Sequence, residues 1–343
     1  MLCQKRNRFR HVSDSFVKWE SADSKFTGHG HCPEEGNIMK IRTKQFQILT
    51  DIELVWKFMT DVYNHEETNG PAAPFFEYAI ISSWLDKDYL RLNRFWLDGD
   101  VPVGFVFYEQ PVSSLFFVLR PGYEFLAGEM IEYAENAYPK FDEPRELNLL
   151  SGQSALIEEA GKRGWYVEYE EPDRFFDFRK GKLDYPLPEG YHFVDARKSD
   201  PLKTAKCLWD GFNSADFGEF IDWEIPRKAG GLSPHELYQN VLCATISPSP
   251  HATYDYTVII ADQDENYVCF SGMWWVPENR LAYMEPLCTV PAHQHKGLAA
   301  AALSRHDKVM RGLGAEIMTG GGNEFYKKIG YQGVHLWLHM KKQ

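Results

Sequence analysis

Thr289-Val290-Pro291-Ala292-His293-Gln294-His295-Lys296-Gly297-Leu298-Ala299 is the stretch that decides how this chain folds. A β-rich apolar run ends at Val290 and Pro291 stops it. A glycine-containing turn then opens a helical pattern with apolar positions at Leu298, Ala301, Leu303, Val309 and Met310. A strand ending in such a turn suits an anion. The first N–H groups of the helix have no intrahelical partner and the macrodipole adds positive potential, so main chain alone can hold a pyrophosphate. A side chain at Gly297 would obstruct that approach, small Ala299 lets a ligand lie against the first turn, and His295 and Lys296 add positive character. The competing reading is a plain helix start with glycine for close packing.

Working outward, residues 256–261 and 267–276 are β-rich runs around the polar turn 262–266, a hairpin pattern, and Pro277-Glu278-Asn279 turns the chain into a third strand at 281–290. After the helix come a short strand at 315–318, Gly320-Gly321-Gly322, a short helix at 324–329 and a pair of strand-like segments beyond Gly330. The order is β-β-β-α-β-α-β. It also occurs earlier, in strands at 92–97, 103–108 and 115–119, a helix at 125–137, a strand at 146–150 and a helix ending at Lys162. Residues 152–165 share with 320–331 a basic-x-Gly-aromatic close, which points to duplication, and the charged, Gly- and Pro-containing stretch 179–188 is the expected linker.

The turn resembles the acetyl-CoA turn of the GCN5-related N-acetyltransferases (GNATs), Val-x-Pro-x-x-Arg/Gln-x-x-Gly-x-Gly/Ala, with Val290, Pro291, Gln294, Gly297 and Ala299 at its fixed positions. Asn323, Tyr326, Gly330 and Tyr331 resemble that family's second feature, and the two motifs stand one helix and one strand apart, as its fold implies. The resemblance spans about residues 190–342. It implies an α/β (α+β) chain of two tandem GNAT-like domains, each a mixed, mostly antiparallel sheet flanked by helices. The expected division is an extension at 1–38, a degenerate domain at 39–180 and an acyl-CoA-binding catalytic domain at 189–343.

The resemblance further implies acetyl-CoA as co-substrate, no metal, and direct attack of a primary amine on the thioester. Leu287, Cys288 and Val290 would offer backbone N–H groups at the splayed strand end; Gln294, His295, Lys296, Gly297, Leu298 and Ala299 would hold the pyrophosphate, with Asn323 and Tyr326 beside the cofactor. Tyr326 stands where the family's tyrosine protonates the departing thiolate; the alternative is a core aromatic. Alternation puts Tyr283, Glu285, Leu287 and Thr289 on one strand face, and Glu285 resembles family glutamates that act as general base; the alternative is a solvated strand-edge carboxylate. Cys288 has apolar neighbours and no paired His or Asp in the sequence, which favours packing over covalent catalysis. In the first copy, residues 118–127 lack the glycine series and carry Glu124, and Ala160 stands where Tyr326 does, so that copy is expected to keep the fold, lose CoA and shape the substrate cleft.

At 343 residues the chain exceeds one comfortable core, in keeping with two domains. A formal charge of -12 argues against nucleic acid and leaves room for a cationic small-molecule amine. No run approaches the ~20 apolar residues of a membrane span. Six cysteines without CxxC or framework spacing read as thiols of a reducing cytoplasm. Acceptor choice is expected in 209–223, where Asp210, Asp216, Glu219 and Asp222 interleave with Phe212, Phe217, Phe220 and Trp223, and at Trp274; a solvated amphipathic helix is the bland alternative. Two other functions fit the same residues: a noncatalytic acyl-CoA-binding module and an acetyltransferase for a protein or peptide amine. Glu34-Glu35-Gly36 requires a purine-rich codon run just before Met39, as in a translated bacterial ribosome-binding site, so translation is expected to start at Met39. His29, His31 and Cys32 lack a fourth ligand at metal spacing.

Overall fold

The computed structural model describes residues 40–82, 84–139, 144–213, 220, 251–252 and 254–342. The first half runs β1 (Ile41–Gln45), α1 (Ile48–Val62), α2 (Ala73–Ile81), β2 (Arg94–Asp98), β3 (Val101–Tyr108), β4 (Ser114–Leu119), α3 (Ala127–Ala137), β5 (Glu146–Leu150), α4 (Ser154–Lys162) and β6 (Trp165–Asp177). Apart from Val101, all of β3 is buried, which is why its sequence is nearly continuous in apolar residues rather than alternating. Phe75 and Phe76 of α2 pack on Phe105, Phe107 and Phe116 with ring centroids 4.9–6.2 Å apart. That aromatic layer fixes the helices on the sheet.

The second half runs β7 (His192–Val194), α5 (Pro201–Gly211), β8 (Val258–Ala261), β9 (Tyr267–Ser271), β10 (Trp274–Val276), β11 (Leu281–Tyr283), β12 (Leu287–Thr289), α6 (Leu298–Leu313), β13 (Ile317–Thr319), α7 (Glu324–Ile329) and β14 (Gly333–Lys342). Strand alternation sorts its core into two layers. Ile259, Phe270 and Cys288 face Ala205, Cys207, Leu208 and Trp209 of α5, while Val258, Ile260 and Cys269 face Leu298 and Ala302 of α6. Cys207, Cys269 and Cys288 are free and buried, and burial pushes the Cys269 thiol up to about 12.

The strands form a ten-stranded sheet, β1-β2-β3-β4-β5-β14-β6-β13-β11-β10, and a four-stranded sheet, β12-β9-β8-β7. Two strands cross between the halves. The chain's last strand, β14, lies between β5 and β6, while the end of β6 pairs with β13 through Asp177↔Ile317 and Phe175↔Thr319. The expected pair of segments beyond Gly330 is therefore one long strand with both edges bonded. The stretch 179–188 is neither helix nor strand and is tied to α6, with Tyr185 N–H donating to Ser304 Oγ at 2.9 Å and Arg311 Nη2 to Gly181 O at 2.8 Å.

Two expected strands, 267–276 and 281–290, are each broken in two. The breaks face each other. A Cβ on Gly272 would lie 2.2 Å from the Glu285 carbonyl oxygen, so only glycine allows the approach, and Gly272 N–H donates to Pro286 O at 2.9 Å beside a cis Glu285–Pro286 peptide. Beyond these breaks β9 and β12 belong to the small sheet, and β10 and β11 to the large one. No helix among the described residues is long and apolar enough to cross a membrane.

Candidate active site

The breaks create a fork. β11 and β13 run parallel, paired through Leu281↔Ile317 and Ala282↔Met318, and then part as β12 enters the other sheet. Met284 N–H donates to Thr319 Oγ1 at 2.7 Å where they separate. Among the described residues β12 is an edge strand. Val290 N–H donates to Val268 O at 2.9 Å, and the antiparallel register then gives Cys288 N–H to Phe270. Of the three backbone donors expected here, Cys288 and Val290 thus face β9. Leu287 faces the open edge, joined by Thr289, which the sequence reading did not include. The Cys288 side chain packs against α5, with Sγ 3.8 Å from Cys207 O.

The turn follows directly. Residues 291–293 form a short 3-10 turn, Gln294 Nε2 donates back to Thr289 O at 3.1 Å, and Gln294, His295, Lys296 and Gly297 are exposed. Gly297 caps α6 at φ 89°, a left-handed value that favours glycine, and no side chain caps the helix. The first intrahelical bond is Ala301 N–H to Gly297 O at 3.0 Å, so the N–H groups of Leu298 and Ala299 lie ahead of it, in the unpaired first turn.

Tyr326 closes the fork from α7, where the Asn323 side chain caps the helix by accepting Phe325 N–H at 2.9 Å. Tyr326 is 9% exposed, rests against Tyr331 at 5.1 Å between centroids, and its hydroxyl has no hydrogen-bond partner among the described residues. Burial, then the charges of Asp173 and Glu285, push its pKa well up. Glu285 sits in the kink, half-buried, and its Oε2 accepts the Tyr283 O–H at 2.8 Å, so the solvated-edge reading does not describe it. Burial raises the Glu285 pKa, against the lowering effect of that bond.

No family model matches the sequence, and no curated protein matches it. Solved structures match most of its length: a GCN5-related N-acetyltransferase from Sphaerobacter thermophilus has a TM-score of 0.52 over 88% of this chain and 95% of its own, at 10% identity. A GNAT-family acetyltransferase from Colwellia psychrerythraea matches at TM-score 0.52, 10% identity, 88% of this chain and all 100% of that one. A tandem GNAT protein from the clavulanic acid biosynthesis pathway matches at 0.52 and 12% identity over 88% of this chain and 98% of its own. This chain has the tandem GNAT fold.

The two forks of this GNAT fold differ. In the first half β4 and β5 part after Phe116 and Asn148, but Gln153 Nε2 donates to Phe117 O at 2.9 Å and Leu119 N–H donates to Asn69 O at 2.9 Å. A Cβ on Gly70 would lie 2.8 Å from Phe117 O, so this segment is wedged against the strand edge. The turn beyond is occupied too, since Glu124 Oε1 accepts the Gly122 N–H at 2.9 Å. The second-half fork has no such plug among the described residues.

Three carboxylates that the sequence reading missed come from the first half: Glu109 at the end of β3, Asp173 in β6 and Glu67. Glu109 is 4% exposed, and burial with the Glu285 charge pushes it to about 8. Burial and then Glu67 push Asp173 to about 7, against the opposing effect of His335. His335 Nδ1 is 3.2 Å from Glu67 Oε2 and its Nε2 is 2.7 Å from His65 O; burial opposes its protonation, but these partners raise its pKa. The pairing of β14 with β6 sets His335 opposite Asp173. Trp274, expected to line the cleft, is 3% exposed, donates to Glu77 Oε1 at 3.2 Å and meets the Tyr283 ring edge-on at 6.2 Å, so it braces Tyr283 from behind. Asp216, Glu219 and Trp223, like His29, His31 and Cys32, lie outside the described residues.

Proposed function

We propose that this protein is an N-acetyltransferase that moves the acetyl group of acetyl-CoA to a primary amine of a small cationic acceptor by direct attack. The observation that carries this reading is the open fork, where the Gly297 turn, the free edge of β12, Glu285 and Tyr326 meet. The groups fit acetyl-CoA: unpaired N–H groups at the start of α6 suit a pyrophosphate, and the edge N–H groups of Leu287 and Thr289 suit amide and thioester carbonyls.

In this mechanism Glu285 takes a proton from the acceptor ammonium, a task its raised pKa favours. The amine nitrogen then bonds to the acetyl carbon while Leu287 N–H stabilises the oxyanion. The C–S bond breaks as the carbonyl re-forms, the Tyr326 hydroxyl protonates the departing thiolate, and the second proton of the attacking nitrogen, shed as the amide forms, restores the Tyr326 hydroxyl. The Tyr326 hydroxyl, which has no hydrogen-bond partner among the described residues and so keeps its proton uncommitted, supports that last role.

Differential scanning fluorimetry with acetyl-CoA on the wild type and Gly297→Glu, followed by a thiol-release screen across amines, tests the proposal. Stabilisation of the wild type alone, with thiol release, is expected. Stabilisation without turnover of any amine would favour a noncatalytic acyl-CoA-binding module, and turnover of peptide amines alone a macromolecular acceptor.

A further inference from the structure

We infer that Gly321 is a positioning residue for Tyr326: its bare backbone, fixed to β6 of the first half, sets where the Tyr326 hydroxyl stands in the fork. This rests on the reading of Tyr326 as proton donor to the thiolate and goes beyond it by naming what holds that donor.

Gly320, Gly321 and Gly322 join β13 to α7, the helix that carries Tyr326. None of the three has a φ in the left-handed region, so backbone conformation does not call for glycine here. Clearance does, and the three glycines clear different things. A Cβ on Gly322 would lie 2.7 Å from Pro172 O, and one on Gly320 would lie 2.7 Å from Tyr331 Cε1 and 2.8 Å from Arg174 O. Those two let the chain lie close against β6. At Gly321 the three nearest atoms to a Cβ would all belong to Tyr326: Cε2 at 3.3 Å, Cζ at 3.9 Å and the hydroxyl oxygen at 3.9 Å.

This wall is tied down from the half whose own fork is plugged. Arg174 N–H in β6 donates to Gly321 O at 3.4 Å, and the half-buried Arg174 guanidinium holds Glu324, at the start of α7, at 2.5 Å. The Tyr326 ring has little room to retreat. Tyr331 and Phe325 stand 5.1 and 5.3 Å from its centroid, and the bare Cα of Gly320 borders its other edge, where a Cβ would lie 3.0 Å from Cδ1. A methyl group at 321 therefore displaces the hydroxyl edge by a few tenths of an ångström. Proton transfer needs donor and acceptor within about 2.6–3.2 Å, so that displacement acts on the chemical step. Gly321 lies outside the turn at 294–299, so binding of acetyl-CoA is spared.

Steady-state thiol release from acetyl-CoA, with the amine that turns over fastest in the screen above, tests the inference on the wild type, Gly321→Ala, Tyr326→Phe and the double variant. Gly321→Ala is expected to lower kcat about tenfold with KM for acetyl-CoA within about twofold. In the Tyr326→Phe background the same alanine should change kcat by less than about twofold, because it acts through the hydroxyl. A kcat for Gly321→Ala within twofold of wild type, an equal fall in both backgrounds or a change in KM alone would overturn the inference. So would a Gly321→Ala protein that does not fold, since the methyl would then press on the fold and not on the hydroxyl. A loss in Tyr326→Phe without one in Gly321→Ala sinks this inference and leaves the transferase reading intact. Wild-type kcat in Tyr326→Phe, or no turnover of any amine, would remove the proton donor itself and this inference with it.

Discussion

The Leu119 N–H donates to the Asn69 carbonyl at 2.9 Å, so the chain itself closes the strand edge that would open the first half's fork. Among the described residues nothing pairs with the equivalent edge at Leu287 and Thr289. Both turns beyond these edges hold a glycine in the left-handed region, Gly122 at φ 88° and Gly297 at φ 89°, and a Cβ would meet nothing within 4 Å at the first and only Pro188 at 3.9 Å at the second. Alanine at either position therefore carries the same backbone strain, about 1–2 kcal/mol. Thermal unfolding is expected to fall by a similar few degrees in Gly122→Ala and Gly297→Ala. Only Gly297→Ala should weaken acetyl-CoA binding by calorimetry. Equal acetyl-CoA affinity in the two variants would remove the turn at 294–299 from the site.

Tyr326→Phe removes a hydroxyl that bonds nothing among the described residues, so folding should be preserved. With general acid catalysis worth ~10²-fold or more, kcat for thiol release should fall about a hundredfold while KM for acetyl-CoA stays within twofold. A kcat within twofold of wild type would return Tyr326 to the core, where its contact with Tyr331 already gives it a structural use.

The turn and the short helix after it were legible because both are local: a proline stop, a glycine at a helix start and an Asn cap each act within a few residues. What was not legible is non-local. The break at 284–286 depends on Gly272 meeting the Glu285 carbonyl from another strand, and no pattern within 281–290 records that contact. The availability of Leu287 and Thr289 rather than Cys288 and Val290 depends on ladder register against β9. Glu109 follows an apolar strand, and no pattern within residues 101–109 records that the fold buries it to 4% exposure.

Glu109 also predicts how stability responds to pH. Its folded pKa, about 8, lies above the ordinary carboxylate value, so between roughly pH 4.5 and 8 the native state binds a proton that the unfolded chain does not. Its contribution is therefore fully present below that window and is lost as pH rises through it. Asp173, near 7, acts in the same direction. Urea unfolding of the wild type from pH 5 to 8 is expected to show falling stability, and Glu109→Gln a shallower fall, with the variant more stable than wild type at pH 8. A variant that tracks the wild type at every pH would mean that Glu109 is ordinarily solvated.

The strand exchange is expected to make the two halves unfold as one unit. β14 is bonded on both edges, to β5 through Leu338↔Leu149 and to β6 through Leu338↔Glu170, and Leu338 and Met340 belong to the core of the first half although they are among the last residues of the chain. His339, between them, is 3.0 Å from Glu146 Oε1 and lies flat on Tyr169 at 4.1 Å. Met340→Ala removes a side chain that is 2% exposed, which should cost about 2–5 kcal/mol. The location of that loss is the informative part. Because β14 fills the gap between β5 and β6, hydrogen exchange in Met340→Ala should accelerate in β5, roughly 190 residues earlier in sequence, as much as in β13. Acceleration confined to residues after 189 would mean that the halves unfold independently and that the shared sheet does not couple them.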